Sequence, residues 1–164
     1  MSHSARSYLL LHAVPAAQAR QVSWTISRTL GLEPRLIWHK QNVIADYVSA
    51  NFSWDELPAV TANLASALAG WGGIWFELMH EATISTDAEL WLHTPTLGLR
   101  HRSTDSSGNI VVNEFELAAS LERSAGDAHR LALEMQNLLA QPWTEELERF
   151  RYPQSKSKLI GLAG

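Results

Sequence analysis

"ADYVSANFSWDELPAVTANLASALAGWGGIWFELMH", residues 45–80, carries the clearest local signals in the chain. Its first part alternates. Val48, Ala50, Phe52 and Trp54 share one face, while Tyr47, Ser49, Asn51 and Ser53 share the other, which predicts a half-buried strand. "SWDE" then fits a capping box, with Ser53 as N-cap and Glu56 three residues on. Behind it Leu57, Val60, Leu64, Ala67, Leu68 and Trp71 form a helical stripe, and the "GWGG" group, Gly70 to Gly73, stops it. "IWFELMH" reads as the next strand.

Working outward toward the N-terminus, "SYLLLHA" (residues 7–13) is a short apolar run suited to a strand buried on both faces. Pro15 suits a first helical turn, and Val22, Ile26 and Leu30 recur at intervals of four before Gly31. "PRLIWHK" (34–40) is the second strand. The order strand, helix, strand, strand, helix, strand is the ferredoxin-like βαββαβ pattern, so the class is α+β, with an antiparallel sheet and two helices on one face.

Beyond residue 80 the pattern changes. "AELWLHT", "LGLRHRST" and "NIVVNE" read as about three further strands, which either extend the first sheet or form a second one. C-terminal helices follow. Asn113 caps one, with Glu116 at N3 and Phe115, Ala118 and Leu121 on its buried side; Asp127 opens another, with Leu131, Met135 and Leu138 facing inward. "QPWTEELERFRYP" (141–153) is a short charged helix carrying Trp143, Leu147 and Phe150 on one side. Residues 1–164 read as one domain, with 1–6 and 154–164 as flexible ends.

Composition narrows the function classes. Cysteine is absent, which removes disulfides, thiol nucleophiles and thiolate metal sites. A net charge of −4 speaks against sequence-independent nucleic-acid binding, which needs clustered Lys and Arg. No apolar run reaches the roughly 18 residues of a membrane span, and the N-terminus lacks a signal-peptide h-region, so a cytoplasmic location is expected. Seven Trp point weakly to interfaces.

The candidate chemistry is sparse. Seven His include no pair one helical turn apart, so they read as polar strand-end residues rather than metal ligands. There is no Gly-x-Ser-x-Gly, and "GWGG" precedes a strand instead of opening a helix, so it serves as a helix stop and not as a phosphate loop. No catalytic residue, metal or cofactor is assigned. Arg100 and Arg102 leave the same face of one strand beside His101, and this trio is the candidate anion or ligand site; the plainer reading is a solvated face paired with acids. In the 141–153 helix, Trp143, Leu147, Arg149, Phe150, Arg151 and Tyr152 are the candidate partner-binding residues. Packing onto the domain is the preferred fate of its apolar triad, because an exposed one is a costly patch.

"LHAVPAA", "LASALAGW", "TPTLG" with His101 shortly after, "VNEFEL" and above all "QPWTEELERFRYP" resemble the actinobacterial family catalogued as domain of unknown function 3145. The resemblance runs from about Ser7 to Pro153. "LIWHKQN" and "ELWLHT" match it least, which leaves His39 and His93 outside any family-wide site. The family has no established catalytic residues, so none carry over. The resemblance implies a cytoplasmic actinobacterial protein whose gene lies near those for fatty-acid synthesis and acyl-CoA carboxylation.

The expectation is a non-catalytic regulatory or accessory protein that binds an enzyme of that machinery. The alternative is a ferredoxin-like small-molecule sensor. An enzyme using His101 as base beside Arg100 or Arg102 ranks third. Ferredoxin-like sheets often pair, so a homodimer is also allowed for.

Overall fold

The computed structural model describes residues 5–56 and 58–160, with backbone alone for 56, 58–59 and 152–160. Six strands form one antiparallel sheet in the order β2-β3-β1-β4-β5-β6. They are β1 (Ala5–Pro15), β2 (His39–Lys40), β3 (Tyr47–Glu56), β4 (Trp75–His80), β5 (Ala88–Thr94) and β6 (Gly98–Thr104). The helices are α1 (Ala19–Leu30), α2 (Pro58–Ala69), α3 (Glu114–Ser124), α4 (Ala128–Leu138) and α5 (Gln141–Ile160). The added strands extend the first sheet, and the six-strand order is not that of a bare ferredoxin-like sheet.

Two cores flank the sheet. On one face α1 and α2 bury Val22, Ile26, Leu64 and Leu68 against Leu9, Leu11, Phe76, Leu78 and Trp91. On the other, α5 brings Leu147 and Phe150 down onto Ala13, Leu92 and Trp75. The alternation of a strand explains the division, since Phe76 and Trp75, or Trp91 and Leu92, are neighbours that point to opposite faces. In β1 the pairing shifts register between Leu11 and Val14, so Ala13 joins the second core and Val14 the first.

The fold departs from the sequence reading at several places. First, β3 continues through Ser53 and Trp54, which pair with Tyr8 and Ser7, so Ser53 caps no helix. Burial of Trp54 in the first core extends the strand past the local capping signal, and α2 begins at Pro58; Leu57 lies outside the described residues. Second, only His39 and Lys40 of the 34–40 run pair with β3. Leu36 and Trp38 pack against the first core without needing a ladder, while Ile37 stays exposed.

Third, two strands are added and not three, because the 109–114 run makes only an isolated bridge, Ile110 to Thr104. Fourth, α3 is turned over. Its capping box forms as expected, but Ser120 and Ser124 are buried, while Phe115 and Leu121 are 78% and 57% exposed. Glu116 explains the inversion. It is tied to Arg102 on β6 through two hydrogen bonds, of 2.6 and 3.2 Å, which turns its face of the helix toward the sheet. The helix α5 also runs on past Pro153 to Ile160, through the first part of the expected tail.

Candidate interaction surface

Helix α5 is the element that seals the second face of the sheet. Ala140, at φ 52°, turns the chain out of α4, and Pro142 then sits in the first turn, where its missing N–H costs nothing. Leu147 and Phe150 follow at a spacing of three and are fully buried. Phe150 lies against the His12 ring, centroids 6.1 Å apart, and against Trp75 at 5.6 Å.

Beneath Phe150 is a polar cluster. His12 on β1 and Glu77 on β4 are 2% and 5% exposed, and His12 Nε2 is 2.9 Å from Glu77 Oε2. Arg151 of α5 donates to both Glu77 carboxylate oxygens, and Gln41 Nε2 donates to the His12 carbonyl. Burial, helped by the Arg151 charge, pushes the His12 pKa down to about 4. The ring is therefore neutral at pH 7. It donates from Nε2 to Glu77, and Nδ1 is buried with no partner among the described residues. The cluster is a strut that ties β1, β4 and α5 together beneath a roof of apolar side chains.

At the N-terminal end of α5 the surface opens. Trp143 is half-buried, with its Nε1 donating to the Gly98 carbonyl at 2.9 Å and the Arg100 guanidinium 5.4 Å from its ring centroid. Arg149 lies over Trp75 and Phe150, at 5.2 and 4.7 Å, with an exposed side chain. Glu146 accepts from Trp75 Nε1 and Thr96 Oγ1, which fixes the β5–β6 turn to the helix. Leu97 in that turn and Leu139 at the end of α4 are exposed apolar side chains. Of the six candidates on this helix, Leu147 and Phe150 are core and Arg151 is engaged by Glu77. Trp143 and Arg149 face outward in part, and the Tyr152 side chain lies outside the described residues.

The β6 trio is split by the strand. Arg100 and Arg102 pair across the ladder with Leu92 and Leu90, on the α5 side of the sheet. Arg100 donates to the Asn137 carbonyl in the last turn of α4, where a cation complements the helix dipole. Burial lowers its pKa, yet it remains charged. Arg102 is buried and held by Glu116, whose own pKa the bonded guanidinium lowers. His101 points the other way and stacks on Trp91 at 4.8 Å. Both guanidinium groups are thus taken up by the fold. A cavity of about 260 Å³ beside them is lined by Asp87, His101, Arg102, Ser103 and Glu116, with acids among its walls.

A second cavity, of about 370 Å³, lies on the α5 side of the sheet between the β4–β5 strands and the loop after β6. Tyr8, Met79, Ala88 and Leu90 supply its apolar lining, and Glu81, accepting from the Tyr8 hydroxyl, is at its edge. Two other strand histidines are buried structural groups. His80 Nδ1 meets Ser7 Oγ at 2.8 Å and His93 Nδ1 donates to the Ile74 carbonyl at 2.8 Å, and burial lowers the pKa of each. Among the described residues no group of three His, Cys, Asp or Glu side chains could hold a metal ion, and no helix is long and apolar enough to cross a membrane. The sequence reading missed the His12–Glu77 pair. The two residues are far apart in the chain, and no local spacing signals their meeting.

The model of the family described as "protein of unknown function (DUF3145)" matches residues 8–162, nearly the whole chain. The chain belongs to that family. The match takes in most of β1 and the five other strands, so the clamp under α5 and the seam around Trp143 both lie within the family domain. No curated protein and no solved structure matches the chain.

Proposed function

We propose that this protein is a non-catalytic interaction protein that docks a partner at the seam between α5 and the β5–β6 turn. The observation that supports this is a half-exposed Trp143 fixed by Gly98, bracketed by Arg100 and flanked in the chain by the exposed Leu139. Aromatic and Arg side chains held rigidly at a surface are what binding hot spots are made of. The partner class comes from the family resemblance: an enzyme of acyl-CoA carboxylation or fatty-acid synthesis in an actinobacterium, whose activity or assembly binding would alter in the cytoplasm. The first four strands, in the order β2-β3-β1-β4 with α1 and α2 as crossovers, are read as a ferredoxin-like unit with β5 and β6 added.

The test is an affinity pull-down of the tagged protein from its native host, read by mass spectrometry at low and high salt. Wild type should retain one stoichiometric partner. Arg149→Glu and Leu139→Asp, both at exposed positions, should lose it while keeping the wild-type far-ultraviolet circular dichroism. Retention by both variants overturns this surface.

A small-molecule sensor is the second reading, and the 370 Å³ apolar cavity at Met79 and Leu90 favours it. A thermal-shift screen with acyl-CoAs, amino acids and nucleotides discriminates, since a ligand selective for the folded state raises its stability. No rise at high excess of any of them counts against the sensor. Catalysis by His101 ranks last, because its ring is stacked on Trp91 and both neighbouring guanidinium groups are engaged.

A further inference from the structure

Two exposed helix faces on opposite sides of the sheet carry matching patterns. On α1, Arg20, Trp24 and Arg28 recur at intervals of four, directly opposite the buried Val22, Ile26 and Leu30. Trp24 is 58% exposed, with Arg28 over its ring at 5.1 Å. On the inverted α3, Glu114, Ala118 and Glu122 recur at the same intervals, opposite the buried Ser120 and Ser124. Phe115 and Leu121 stand on either side of Ala118. None of Arg20, Arg28, Glu114 and Glu122 is in an ion pair among the described residues.

The stripes are complementary in charge and in shape. At roughly 1.5 Å per residue the two Arg and the two Glu each span about 12 Å, so both ends meet when the helices lie side by side. The centre then sets the largest side chain, Trp24, over the smallest, Ala118, in a notch walled by Phe115 and Leu121. The stripes cannot meet within one molecule. Helix α1 covers the first core, whereas α3 is pinned to Arg102, on the α5 side of the sheet.

We propose that α1 of one copy of this chain docks on α3 of a second copy, Arg20 and Arg28 pairing with Glu114 and Glu122 around Trp24. The contact is head-to-tail and leaves one α1 and one α3 free at the ends of any open assembly, so it builds rings or chains and not an isologous dimer. A single helix pair buries little area, which makes the association weak and dependent on concentration and salt. The exposed apolar face of α3 thereby acquires an occupant.

Sedimentation velocity of the whole chain, from about 10 μM to 1 mM at low salt, tests the proposal. Average mass should climb with concentration and fall back on adding about 0.5 M salt. The variants Glu114→Arg with Glu122→Arg, and Arg20→Glu with Arg28→Glu, should each stay monomeric. An equimolar mixture of the two should assemble again, because each then meets an opposite stripe. Circular dichroism controls the fold, and Trp24→Ala, which alters no charge, should weaken association at least tenfold. A wild type monomeric throughout, charge variants that assemble alone, or a mixture that stays monomeric overturns it. Loss of the pull-down partner is a separate readout, as Trp143 and Arg149 belong to neither stripe.

Discussion

At the scale of single residues, His12 is a group whose chemistry the fold changes strongly. Its folded pKa of about 4 lies below the 6.5 of an exposed ring. Between those values the unfolded chain takes up a proton that the folded chain refuses, so stability falls as pH drops from 6.5 toward 4 and is unaffected above 7. The full penalty is on the order of 3 kcal/mol, at about 1.4 kcal/mol per pKa unit. Urea denaturation at pH 7.5 and 4.5 checks this. His12→Gln, which keeps a donor toward Glu77, should lose most of the acid sensitivity; an equal drop in both proteins would assign it to other groups. Glu77→Gln should cost about 2–3 kcal/mol at pH 7, because it takes away the buried carboxylate of the half-buried Arg151 and leaves it only the exposed Glu148.

At the scale of elements, α3 and α5 show how far periodicity can be trusted. Both present an apolar triad at helical spacing, yet one is buried and the other is not. In α5 nothing competes with the apolar face, so Leu147 and Phe150 go inward. In α3 the buried Arg102 needs a carboxylate, and the Arg102–Glu116 ion pair decides which face turns in. Such a long-range demand is invisible in a window of eleven residues. The same reasoning separates what was legible from what was not. Strand alternation and helix stripes located every main element, because burial on one face is written locally, but the 34–40 run shrank to the two-residue β2 and the 109–114 run to a single bridge. The end of β3 was misread because Ser53 and Glu56 satisfy a local rule that pairing with β1 overrides. The partner candidates on α5 were legible as a helix, but which of them stayed exposed depended on Trp75 and Glu77. Stability measurements should reflect the difference: Leu147→Ala should cost about 3 kcal/mol, while Phe115→Ser should stay within about 0.5 kcal/mol of wild type. A larger loss for Phe115→Ser would mean that α3 buries its apolar face after all.

At the scale of the whole molecule, β1 joins everything. It pairs with β3 and β4, and its register shift sends Ala13 to one core and Val14 to the other. Neither core can open without releasing side chains from the other. Thermal unfolding should therefore be a single transition, with Trp fluorescence and far-ultraviolet circular dichroism giving coincident midpoints. A separate early fluorescence step, from α5 lifting away from Trp75, would show that the second core melts independently.

The position of α5 in the chain also sets a timetable. The sheet is complete once Thr104 has emerged from the ribosome, but Phe150 follows about 46 residues later. At roughly 5–20 residues per second, that leaves the face around Trp75 and Leu92 uncovered for on the order of 2–9 s in every round of synthesis. His12 and Glu77, set in the middle of that face, put two polar side chains on it during the wait. The polar pair under the last helix thus does its first service before that helix exists.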